Sequence, residues 1–86
     1  MEEIFNELND ALGGTAVYER TSSSSCAFYF TYNDYRYSLD IFGDLAILTN
    51  ITKQDYCKIV TNNLTSEIAE VIRDGRLNNT IAYLFD

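Results

Sequence analysis

Seven of the fifteen residues from Phe28 to Phe42 are aromatic, and the second half of that segment alternates without a break. Tyr35, Tyr37, Leu39 and Ile41 fall on one side of an extended chain, and Arg36, Ser38 and Asp40 fall on the other. A period of two is the mark of a strand with one buried face. Cys26 to Tyr32 precedes it as a second strand, nearly continuous in large apolar side chains, and Asn33-Asp34 between them is a hairpin turn signal. The middle of the chain is thereby committed to an antiparallel sheet. Phe28, Phe30, Tyr35, Tyr37, Leu39 and Ile41 are expected inward and Tyr29 outward.

The flanking segments extend this pattern. Thr15 to Arg20 reads as a first strand, followed by the polar run Thr21 to Ser25 as a hairpin loop. Gly43-Asp44 is another tight turn, and Leu45 to Ile51 a fourth strand. Short turns between successive strands predict a meander in sequence order. Before the sheet, Ile4, Phe5, Leu8, Ala11 and Leu12 make one apolar stripe at helical spacing, ended by Gly13-Gly14. After it, Thr52 to Asp74 also reads as helical. Thr52 and Asp55 resemble a capping box, and Tyr56, Ile59, Val60, Leu64, Ile68, Val71 and Ile72 form the stripe. Asn62-Asn63 divides this into one helix or two, Gly75 stops it, and Asn79 to Phe85 suggests a short last strand. The expected fold is a single α+β domain over residues 1–86: an N-terminal helix, a four- to five-stranded antiparallel meander, and one or two C-terminal helices.

Composition narrows the function. Six Lys and Arg against thirteen Asp and Glu give a net charge of −7. Affinity for nucleic acid comes mostly from cations that displace counterions from phosphates, so direct nucleic-acid binding is not expected, nor is an anionic membrane surface. The chain has no His, which removes imidazole-dependent zinc sites and the usual general base at neutral pH. Cys26 and Cys57 read as small core residues, and no phosphate-binding loop, dinucleotide fingerprint or calcium loop is present. Carboxylate catalysis needs a cleft, which a thin core of 86 residues seldom holds. The expectation is a protein that is not an enzyme and carries no cofactor. With no apolar run of spanning length and an acidic Met1-Glu2-Glu3 start, a cytoplasmic location is expected.

Two groups of residues remain as candidates for contact with a partner. Glu3, Glu7 and Asp10 share one face of the first helix, and Glu67, Glu70 and Asp74 share one face of the last. Each stripe places three carboxylates along roughly 10 Å. Duplex DNA presents about six phosphates over that length, so a basic protein patch is an easier match than full imitation of DNA. The bland reading of both stripes is a solvated helix surface. Asp34 adds charge at the first sheet turn. Seven tyrosines are many for so small a core, and Tyr29, Tyr32 and Tyr35 are the candidate interface anchors.

In size, in acidity, in its carboxylate stripes and in its surplus of tyrosine, the chain resembles the small inhibitors encoded by phages and mobile elements. Anti-CRISPR proteins are the largest such group, and the phage inhibitors of uracil-DNA glycosylase are another. The resemblance implies stoichiometric inhibition by occluding a nucleic-acid site or a conformational switch on a host-defence effector. The expected function is a binding inhibitor whose acidic, tyrosine-containing surface, as a DNA mimic or by simple complementarity, meets the basic surface of a nucleic-acid-binding protein. The alternative is a homodimeric adaptor or chaperone-like module that accepts a partner's strand at the sheet edge, near Thr15 to Arg20 or Leu45 to Ile51.

Overall fold

A computed structural model describes residues 2–23, 27–60 and 64–80, apart from the side chains of Leu64, Asn79 and Thr80. Cys26, the Asn62-Asn63 break and the stretch 81–85 lie outside the described residues. The elements are α1 (Glu2–Ala11), β1 (Val17–Thr21), β2 (Ala27–Tyr32), β3 (Tyr35–Phe42), β4 (Leu45–Asn50), β5 (Asp55–Val60), α2 (Leu64–Asp74) and the two-residue β6 (Asn79–Thr80). The strands form one antiparallel sheet in the order β1-β2-β3-β4-β5-β6, which is the order of the sequence. The class is α+β, as the patterning predicts.

Local chemistry explains most of these boundaries. The β2–β3 turn holds Asn33 and Asp34 at φ of 54° and 69°, both left-handed, as a type I′ hairpin requires. Gly43 takes φ of 61° at the first central position of the β3–β4 turn. Both helices end in paired carboxyl-terminal caps. Gly14 N–H donates to the Asn9 carbonyl and Gly13 N–H to that of Asp10, while Arg76 N–H donates to Val71 and Gly75 N–H to Ile72. These are the two bonds of a Schellman motif, closed around a left-handed glycine in each case.

The principal correction concerns residues 51–60. They are not helical: residues 51–54 make a turn and Asp55–Val60 is the strand β5, so the segment from Thr52 to Asp74 holds one strand and one described helix. Tyr56, Ile59 and Val60 stand at helical spacing, but in the strand Ile59 faces the core while Tyr56 and Val60 face the other way, and strand partners on β4 decide it. The turn is built around Asn50, whose side-chain oxygen accepts from Lys53 N–H at 3.0 Å and whose carbonyl accepts from Gln54 N–H at 2.9 Å. Gln54 sits at φ of 60°. Thr52 caps nothing. Its hydroxyl accepts from the Arg36 N–H at 2.9 Å and ties this turn to β3. Val60, expected in a buried stripe, is 76% exposed. The sheet edge is corrected too: β4 is paired on both sides, so Leu45 to Ile51 offers no edge to a partner strand, whereas β1 does.

Both helices lie on one face of the sheet. Phe5, Leu8 and Leu12 from α1 meet Phe28, Phe30, Tyr37, Leu39, Ala46, Leu48 and Ile59 from the strands and Ile68, Ala69, Val71 and Ile72 from α2 in one core. Phe28, Phe30, Leu39 and Tyr37 turn inward as alternation predicts; Tyr35 and Ile41 are half-buried at its margin. The opposite face carries Tyr29, Arg36, Ser38 and Asp40. Among the described residues no helix is long and apolar enough to cross a membrane.

Two outcomes follow from this packing. Phe28→Ala should cost about 3–5 kcal/mol, a large share of the roughly 5–15 kcal/mol that holds a domain together. Val60→Ala should change stability by less than about 0.5 kcal/mol; urea unfolding compares them, and a large loss at Val60 would contradict the strand. Second, burial pushes the Asp40 carboxyl above its ordinary value of 3.8. The folded state then holds that proton more tightly than the unfolded chain, so stability should fall as pH rises from 3.8 through the raised value. Asp40→Asn should be more stable than the parent at neutral pH and should show a flatter profile in that window, as read by denaturant midpoints across a pH series.

Candidate functional site

The sheet register sorts the three candidate tyrosines onto different faces. Tyr32 pairs with Tyr35, and Phe30 with Tyr37, so Tyr32, Tyr35 and Tyr37 share the helix-covered face at one end of the sheet. Tyr29 pairs with Ser38 and looks the other way. There its ring lies under two of the chain's own cations, Arg20 at 4.3 Å and Arg36 at 5.3 Å from the ring centroid. The Arg36 guanidinium is held by both carboxylate oxygens of Glu19 at 2.9 Å. That contact keeps the Glu19 carboxyl below its usual value. Tyr29 is thus half-buried and already engaged, and it is not brought together with Tyr32 and Tyr35.

Tyr32 and Tyr35 wall a pocket of about 110 Å³. Three turns assemble it. The β2–β3 hairpin supplies Tyr32, Asn33, Tyr35 and Tyr37; the β4–β5 hairpin supplies Asn50, Lys53 and Asp55; the end of α2 supplies Ile72, Gly75 and Leu77. Lys53 places its ammonium 4.7 Å from the centroid of the Tyr35 ring. Tyr37 is 4% exposed, and burial raises its hydroxyl to about 12 although Asn50 hydrogen-bonds to it. Such a phenol stays neutral at any physiological pH. Asp55 Oδ1 is shielded from solvent and has no hydrogen-bond partner among the described residues. Burial raises the Asp55 carboxyl, against an opposing pull from Lys53.

The carboxylates segregate by layer. Glu3, Glu7 and Asp10 are exposed on α1, and Glu70 and Asp74 on α2, with Glu67 half-buried. With Glu2, the two helices carry seven carboxylates against Arg73, and Arg76 just beyond α2 brings this layer to a net of five negative charges. The strands β1 to β5 and their turns carry five, Asp34 among them, against four cations, a net of one. The helices pack side by side, and Arg73 bridges their carboxyl ends by donating to the Ala11 carbonyl at 3.1 Å. Arg76 lies 3.7 Å from both Glu70 and Asp74, so the α2 stripe is partly offset. Among the described residues no cation comes within ion-pair distance of Glu2, Glu3, Glu7 or Asp10.

Cys57 is half-buried, and burial pushes its thiol up, away from the reactive thiolate form. Among the described residues no three metal-ligating side chains come together. The residues missed by sequence reasoning are Asn50, Lys53 and Asp55. The visible signal for them was Asn50, a turn former immediately after an apolar strand. Comparison with protein-family models, with curated proteins and with solved structures finds no match.

Proposed function

We propose that this protein is a non-enzymatic binding module that covers the basic surface of a nucleic-acid-binding protein, in the manner of an anti-CRISPR inhibitor. The observation that supports the reading is the charge layout: the paired helices, with Arg76 just beyond α2, carry five of the seven net negative charges on one side of the molecule. A layer of this kind steers a cationic partner into encounter from a distance and raises the association rate. The whole of α1 is about 15 Å long, over which duplex DNA would present about nine phosphates. Four carboxylates on α1 fall short of that density. Complementarity to Lys and Arg therefore suits the surface better than imitation of a phosphate backbone.

The homodimeric alternative rests on a different feature. Phe42, Leu45 and Val60 stand in one register row on the face without helices, and Phe42 and Val60 are 52% and 76% exposed. Three side chains at a corner are a small apolar patch beside the roughly 800 Å² per partner of a stable interface. A monomer is the expected state.

Two measurements test these readings. In competition assays against duplex DNA on a panel of basic DNA-binding domains, the protein should displace DNA from its target with an on-rate that falls as sodium chloride rises. The triple variant Glu3→Gln, Glu7→Gln, Asp10→Asn should slow association by about tenfold, with each single change mild. A rate indifferent to salt and to the triple variant would remove the helix layer from the mechanism. Sedimentation at micromolar concentration should return a mass of 9.8 kDa; twice that mass would favour the adaptor.

A further inference from the structure

We infer that the pocket between the β2–β3 and β4–β5 turns receives the guanidinium group of an arginine side chain, stacked on tyrosine and bonded to Asp55. The argument starts from the orphan atom. Asp55 Oδ1 is shut away from solvent with no donor in reach, and a buried carboxylate oxygen left in that state is costly. Asn50, its partner across the β4–β5 ladder, accepts from the Lys53 N–H and is hydrogen-bonded to Tyr37. Lys53 acts on the carboxylate by charge, but among the described residues nothing donates to Oδ1, so a donor is what that oxygen lacks.

The remaining walls favour a cation, and a planar one. Tyr32, Tyr35 and Tyr37 offer aromatic rings, and the last turn of α2, through Ile72 and Gly75, brings the negative end of the helix dipole. Lys53, with its ammonium over the Tyr35 ring, already displays the chemistry of that wall. A guanidinium stacks on tyrosine, bonds a carboxylate through two donors, and is more weakly hydrated than an ammonium, so it loses less on entering a half-enclosed site. A phosphate or carboxylate would meet Asp55 as a like charge. The inference rests on the proposed basic partner only for the source of the arginine; the pocket itself is tested without that partner.

The test is a titration of the full-length, ¹⁵N-labelled protein with N-acetyl-arginine amide, with N-acetyl-citrulline amide as the neutral isostere. The arginine probe should give saturable shifts confined to the amides around Tyr35–Tyr37, Asn50–Asp55 and Ile72–Leu77, and citrulline should give none. Asp55→Asn should weaken binding by about tenfold or more. Tyr35→Leu, which keeps the carboxylate, should weaken it by about threefold. Lys53→Ala, which removes a competing cation, should tighten it by about twofold. The triple helix variant should bind the probe unchanged, so a failure of the helix-layer reading would leave this result standing. Equal response to citrulline, absence of saturation, or wild-type affinity in both Asp55→Asn and Tyr35→Leu proteins that retain their circular dichroism would overturn the assignment. So would saturable binding of inorganic phosphate that is lost in Lys53→Ala.

Discussion

The ring of Phe5 sits within 6.1 Å of Phe28 and Phe30 and 5.3 Å of Tyr18, and the placement of the helices follows from that contact. The edge-on approach to Tyr18 and Phe28 locks α1 over β1 and β2, while Phe30 stacks on Tyr37 at 5.2 Å and carries the aromatic layer into β3. The area left over β4 and β5 is small-sided, with Ala46 and Leu48, and α2 fills it with Ile68, Ala69 and Ile72. A sheet of five long strands needs one covered face to be stable, and here both helices are used on the same face. Among the described residues no helix lies on the other face.

The charge layout is a consequence of this one-sided cover. Each helix turns its apolar stripe to the sheet, so its polar positions form the outer surface of the molecule. Seven of the twelve polar residues of the two helices are carboxylates, and one, Arg73, is a cation. The Glu3–Glu7 spacing is i to i+4, which costs a helix a few tenths of a kcal/mol in like-charge repulsion. The open sheet face is treated differently: Glu19, Arg36, Arg20 and Tyr29 form one local network of opposite charges and a shared ring. On the proposed reading, a fold that balances charge on one face and leaves it unbalanced on the other keeps the repulsion where a partner's cations would relieve it.

Local chemistry made much of this legible in advance. The amphipathic stripe of α1, its glycine stop, the Asn33-Asp34 and Gly43-Asp44 turns and the alternation of β3 are each decided within a few residues. The strand β5 is not. Tyr56, Ile59 and Val60 stand at helical spacing, and only pairing with β4, reached through the Asn50 turn, overrides it. The pocket was hidden for the same reason. It needs the β4–β5 hairpin to bring Lys53 and Asp55 beside Tyr32 and Tyr35, and a helix over those residues would have sent them elsewhere. Tyr32 and Tyr35 flank the Asn33-Asp34 turn; Tyr29, two strand positions from Thr31, belongs to the face that alternation assigns it.

The acidic layer and the pocket meet at one place, the carboxyl end of α2. Asp74 closes the helix, and the next residue, Gly75, lines the pocket with its left-handed backbone. α2 has 11 residues and so is about 16 Å long. On the proposed reading, a basic segment drawn along its outer face by Glu67, Glu70 and Asp74 would arrive at the mouth of the tyrosine pocket within five residues of extended chain. Distance-tolerant attraction would then supply the encounter, and a single enclosed side chain would supply the register. Screening acts strongly on the first and weakly on the second. The two parts of one contact would therefore respond differently to salt, the association rate falling while the lifetime of the docked state holds.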